Sequence, residues 1–223
     1  MLQSGSTEPA IQPWWRMYQF PAKNVNASHA NGLLAPTPGT NPGFLEQQNS
    51  QRDAIIAALN IDILARHADR VRMANIAQMI NVLQAMILTD KDRMIRTPTY
   101  HVYRMYVPFQ DARLVPITFD AGSYVYGNIS LPRVDAIAAR AKNGKLWLAL
   151  TNVDPNRTVK IEVMAAGVKR AAGEMLSSPK VDSVNTFESP ATVAPRPFVE
   201  SASGGKVILQ LLPHSITVVA LET

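Results

Sequence analysis

The stretch from Arg66 to Asp90 carries Asn75, Gln78, Asn81 and Gln84, four amides spaced three apart among apolar neighbours. A side-chain amide donates and accepts hydrogen bonds at once, and burying one costs free energy unless something bonds it. Such residues either tie down loop backbone and neighbouring strands or touch a ligand. Other candidate chemistry is sparse. His29, His67, His101 and His214 are far apart, and no two form an HxH or HxxxH metal pair. There is no cysteine, which excludes disulfides, thiolate metal sites and a cysteine nucleophile. Neither a glycine-rich phosphate loop nor a GxSxG elbow is present. Asp69, Asp90, Asp92 and Asp111 sit in contexts that read as caps and solvated charges.

The elements that must position these residues change character along the chain. Residues 1–49 are loop-like, with Pro9, Pro13, Pro21, Pro36, Pro38 and Pro42 among Asn, Ser and Gly. A helix is expected at about 50–66, with Ser50 as N-cap and Asp53 completing an acidic capping pair. Ala54, Ile55, Ala58, Leu59 and Leu64 would form its apolar face. Residues 68–89 are apolar almost all round and so are expected to be buried. Periodicity allows a helix there, or a short strand with Val71, Met73, Asn75 and Ala77 on one face. Thr97-Pro98 reads as a helix start, with Tyr100, Tyr103 and Val107 as a core stripe up to Pro108.

Beyond residue 112 short alternating runs take over: 114–119, 124–129, 134–141, 145–152, 158–163, 183–187, 206–212 and 215–221. Asn143-Gly144 predicts a type I′ hairpin, Asp154-Pro155-Asn156 a turn and Gly204-Gly205 another hairpin turn. Eight such runs predict a β-sandwich. Trp147, in the alternating LWLAL, reads as core. Trp14-Trp15 reads as part of the loop-like segment more readily than as a sugar platform. The formal charge of +5 comes from scattered Lys and Arg in runs of at most two, which argues against nucleic-acid binding. No apolar run reaches the roughly 18 residues a membrane helix needs, and the N-terminal residues lack a secretory-signal pattern.

The phrases HADRV, MANIAQ, NVLQAMILT, TPTYHVYRMY, NTFESPATVAP and LPHSITVVAL resemble the α-L-arabinofuranosidases of glycoside hydrolase family 51, over roughly residues 33–223. The resemblance implies an α+β, multi-part chain. Residues 32–112 would be the end of a TIM (β/α)8 barrel, its last helices and last strand, and 113–223 an all-β jelly-roll-type sandwich. Residues 1–31 would remain an unmatched loop-like segment. It further implies retaining hydrolysis of terminal α-L-arabinofuranosyl residues from arabinan and arabinoxylan oligosaccharides, without cofactor or metal, in a cytoplasmic homo-oligomer with no membrane or nucleic-acid partner. Two glutamates carry that chemistry in the family. Neither is expected here: where the family has its D-E-W nucleophile motif this chain reads NASHANGLLAP, and no Asp or Glu lies between Glu8 and Glu46. No catalytic residue is therefore assigned. The family's A-Q motif matches Ala77-Gln78. With Val71–Ala77 as the last barrel strand, Gln78 would lie at its C-terminal end and bind arabinose. Asn75, Asn81 and Gln84 are left to structural bonds. The other reading is a non-catalytic module that binds carbohydrate or mediates assembly. A barrel fragment leaves open strand edges, so the isolated chain is expected to aggregate or to need a partner, while the sandwich is expected to fold alone.

Overall fold

The computed structural model describes residues 49–71, 74, 76, 79–81 and 85–223. Helix α1 runs Gln51–Arg66. Its start is fixed by Asp53, whose Oδ2 accepts from the Ser50 N–H at 2.8 Å and from the Ser50 hydroxyl at 2.7 Å. Asp53 thus satisfies a backbone donor that the helix leaves orphaned, as the capping pair predicts. The buried face is Ala54, Ile55, Ala58, Ile61, Asp62 and Ala65. Leu59 and Leu64 lie at its edge, half-buried.

After α1 the chain forms a hairpin, β1 (Ile87–Asp90) and β2 (Arg93–Arg96). Lys91 occupies its turn at φ 57°. Gly or Asn normally marks that left-handed conformation, so the sequence carries no warning of this hairpin. The expectation that 68–89 is buried does not hold throughout, because Met79, Ile80 and Asn81 are exposed. Nor is the segment one helix: Ile80 bridges to Ile87 and the strand follows.

Helix α2 (Pro98–Met105) begins as expected, with Thr97 Oγ1 accepting from the Tyr100 N–H and proline in the first turn. A single 3-10 turn, Val107–Phe109, follows. The expected stripe is rotated: Val102, Met105, Tyr106 and Phe109 face the core, Tyr100 and Tyr103 are half-buried, and Val107 is exposed.

Ten strands follow: β3 (Arg113–Val115), β4 (Ser123–Tyr126), β5 (Ile129–Pro132), β6 (Val134–Arg140), β7 (Leu146–Asn152), β8 (Val159–Met164), β9 (Arg170–Leu176), β10 (Pro195–Ser201), β11 (Lys206–Leu211) and β12 (Ser215–Glu222). Six make an antiparallel sheet in the order β10-β9-β12-β7-β6-β3, and β8 pairs with β11 in a second sheet. Alternate residues of β6 and β7 point to opposite faces. Ile137, Ala139 and Ala149 join a core shared with α1 and α2. Ala136, Ala138, Leu148 and Leu150 join a second core under β8 and β11. The large sheet is thus a wall between two apolar cores. Trp147 packs on the helical side, in keeping with its reading as core.

Several expected runs shift. The run 124–129 is a hairpin turned at Gly127, at φ 57°, so the pairing continues to Pro132. The run 183–187 is not a strand. Asn185 replaces the ladder there: its Nδ2 donates to the Arg96 and Val193 carbonyls at 2.9 Å each, and its Oδ1 accepts from the Val193 N–H at 2.7 Å. The β6–β7 hairpin exists, but the Asn143-Gly144 turn is not type I′. Only Gly144 has positive φ, and the loop closes from Ala141 N–H to the Lys145 carbonyl. Gly204 and Gly205 are both left-handed and make the reciprocal Ser203–Lys206 bonds of a tight hairpin turn.

Candidate functional site

Gln78, Asn75 and Gln84 lie outside the described residues, as does most of the expected strand Val71–Ala77. Its described members Val71, Ala74 and Ile76 belong to neither helix nor strand. What is described on either side is firmly anchored. The Val71 N–H donates to the His67 carbonyl at 2.8 Å, and the Met79 carbonyl accepts from Met86 and Ile87 at 3.0 Å each. Asn81 accepts from the Thr89 N–H at 2.7 Å and donates to the Thr89 hydroxyl at 2.8 Å, the structural role assigned to it. Asn49, buried at the entry to α1, donates to the Ala85 carbonyl at 2.8 Å, and Thr97 Oγ1 donates to the same carbonyl at 2.9 Å. The two ends of the Gln78 segment are therefore tied to α1, to β1 and to the cap of α2.

A second cluster, which the sequence reading missed, is buried between the helices and the sheet. Asp62 of α1 is fully buried, and its Oδ1 accepts from the hydroxyl of Tyr106, the C-cap of α2, at 2.9 Å. Asp135 of β6 and Thr151 of β7 stand opposite each other on the face turned to the helices. Asp135 Oδ1 takes Arg66 at 2.6 Å, and Arg66 also donates to the Ala136 carbonyl at 3.0 Å. Asp62 Oδ2 and Asp135 Oδ2 are both buried without an N–H or hydroxyl donor. Burial first, then the negative Asp135 beside it, holds the Asp62 carboxyl protonated well above the ordinary aspartate range. Burial and the Asp62 charge likewise raise Tyr106. One signal pointed here: Asp62 lies four residues after Ala58 on an apolar helical stripe, where a carboxyl needs a partner. Arg66 and Asp135 also line an open cleft of about 610 Å³ with Leu114, Phe119 and Ser123.

This pair cannot act as a retaining glycosidase dyad, which needs two carboxyls about 5 Å apart with a sugar between them. Asp62 is sealed under α2, and the two carboxyls interact directly. Among the described residues no group of three or more His, Cys, Asp or Glu could hold a metal ion.

His101 of α2 is a separate titrating group. It is buried, its Nδ1 has no partner, and burial followed by the charges of Arg104 and Arg96 lowers it to about 4. An unfolded histidine near 6.5 binds a proton that the folded state refuses. This part of the stability is present above about pH 6.5 and is lost as pH falls toward about 4. Acid melts should show a loss of about 2 kcal/mol over that window, largely absent in His101→Asn. Equal losses in both proteins would refute the assignment.

The family model described as the α-L-arabinofuranosidase C-terminal domain matches residues 17–215. The chain belongs to this family. The match begins ahead of residue 33, where the resemblance of the motifs starts. The chain is 40% identical over 189 residues to an intracellular exo-α-L-arabinofuranosidase of Bacteroides ovatus, covering 83% of this chain and 37% of that protein. It superposes on the family 51 arabinofuranosidase of Xanthomonas axonopodis pv. citri with TM-score 0.79 at 47% identity, covering 85% of this chain and 39% of that one. An α-L-arabinofuranosidase of Thermotoga maritima, solved in complex with arabinose, gives TM-score 0.73 at 26% identity, covering 82% and 41%. The chain therefore corresponds to the C-terminal part of a family 51 arabinofuranosidase and spans about two fifths of the length of these relatives. Among the described residues no helix is long and apolar enough to cross a membrane.

Proposed function

We propose that this chain is the sandwich and barrel-end portion of a retaining α-L-arabinofuranosidase that removes terminal arabinofuranosyl residues from arabinan and arabinoxylan oligosaccharides. The observation that supports it best is the 47% identity to the Xanthomonas enzyme, over a match that covers 85% of this chain. In this reading the two catalytic glutamates come from outside the chain. Residues 32–112 contribute the last helices and last strand of the barrel, and 113–223 form the jelly-roll sandwich. Gln78 stands at the barrel mouth, where its amide donates to one arabinose hydroxyl and accepts from another. The enzyme would act in the cytoplasm as a homo-oligomer.

A chimera tests this. The C-terminal part of the Bacteroides ovatus enzyme is replaced by residues 33–223 of this chain. It should hydrolyse para-nitrophenyl α-L-arabinofuranoside, and Gln78→Ala in the chimera should cut kcat/KM by about 10- to 100-fold, the loss of one or two polar contacts to substrate. A folded but inactive chimera would remove the functional reading. An active chimera indifferent to Gln78→Ala would remove only the role of Gln78.

A further inference from the structure

The buried carboxyl pair has no part in the hydrolysis proposed above, and its geometry points to a different task. We propose that Asp62 and Asp135 form a proton-operated clasp, in which one shared proton holds α1 and α2 against β6 and β7 and its loss to the cleft loosens the helices from the sheet.

The groups that face the pair come from four elements. Helix α1 supplies Asp62 and Arg66, the C-cap of α2 is Tyr106, β6 supplies Asp135 and β7 supplies the Thr151 hydroxyl. On the open side the cleft adds Asp120 from the loop before β4. With one proton the pair carries a single negative charge, which Arg66 balances. Asp62 then donates to Asp135, which gives the two otherwise donorless oxygens a bond. Without the proton, two carboxylates in contact share one half-exposed guanidinium, and the buried site carries an uncompensated charge. Tyr106 cannot offset it, because its one hydroxyl proton already goes to Asp62 Oδ1. The cleft gives the proton its exit, since Arg66 and Asp135 both line it.

The sign follows from Asp62, raised by burial and by Asp135. Its contribution is complete below the unfolded aspartate value near 4 and is lost as pH rises through the folded value. This is opposite to the His101 effect, so the two single variants separate them.

Hydrogen exchange read by mass spectrometry on the full chain tests the clasp at about pH 5 and about pH 8.5, corrected for intrinsic exchange rates. Protection of residues 51–66 and 98–109 should fall at least about tenfold at the higher pH, and less than about twofold in Asp62→Asn, whose amide donates to Asp135 without titrating. Peptides from β8 and β11, on the far side of the sheet, should not change. Should Asp62→Asn fail to fold, Asp135→Asn puts the same question from the β6 side. An equal loss of protection in wild type and variant overturns the proposal, as does no loss in the wild type.

Discussion

Gly173→Ala should destabilise the chain by about 3 kcal/mol or more, near the top of what a single added methyl costs in a packed core. Gly173 lies in β9 between β10 and β12, opposite Phe198 on one side and Val219 on the other. A Cβ built there would stand 2.0 Å from the Val218 carbonyl oxygen and 2.8 Å from the Val219 Cα. Both obstacles are backbone of a strand hydrogen-bonded on its two edges, to β7 and β9, so neither can turn aside as a flexible side chain would. The methyl must push two strands apart. For a chain of this length the melting temperature should drop by about 6–12 °C. Ala172→Gly, one residue away, changes the chain without a clash and should cost only about 1 kcal/mol. A Gly173→Ala protein that melts within about 1 °C of wild type would show that β9 and β12 do not approach this closely.

The second large effect concerns turnover. Offered para-nitrophenyl α-L-arabinofuranoside, the isolated chain should release nitrophenol no faster than buffer, whereas the chimera described above should be faster by about six orders of magnitude or more. The physical reason is a missing pair of groups. Retaining hydrolysis needs a nucleophilic carboxylate and a carboxylic acid on either side of one glycosidic bond. No Asp or Glu occurs from residue 9 to 45, where the nucleophile motif would fall. Several described carboxyls are already held by cations: Asp90 by Arg93, Asp154 by Arg133, Glu174 by Arg104, Glu162 by Lys206 and Glu222 by Arg170. Turnover by the purified chain that disappears on substitution of any one of its Asp or Glu residues would contradict this account.

Much of the architecture is legible in the sequence because it is local. Ser50 with Asp53 and Thr97 with Pro98 announce their helices through bonds made within one turn. The runs behind β8 and β11 alternate because one face of each meets a core, and those behind β6, β7 and β12 are apolar on both faces because the large sheet lies between two cores. Two strands of the large sheet hide for opposite reasons. RAAGEML of β9 is rich in small residues that favour other structure, and it is a strand because its neighbours on both sides demand close approach. PRPFVES of β10 contains two prolines, tolerated because β10 is the edge of the sheet and pairs only with β9. The reverse error at 183–187 comes from Asn185, whose amide imitates a strand partner with three bonds that no periodicity encodes. The candidate sites divide the same way. Gln78 is reached through family motifs, not through any physical signal in its neighbours. Asp62 shows only as a carboxyl on an apolar stripe, and its partners are 44 and 73 residues further along the chain, at Tyr106 and Asp135.

The order of strands in the large sheet has a bearing on how the protein is made. β12 lies between β7 and β9 and follows every other strand of that sheet in chain order. A ribosome must therefore deliver residue 222 before β9 and β10 can join β7, β6 and β3. Until then two half-sheets wait with apolar faces and open edges, a situation that invites pairing with neighbouring nascent chains. Assembly of this sheet is withheld until synthesis has passed β12, and chaperone demand should peak at that point and not earlier.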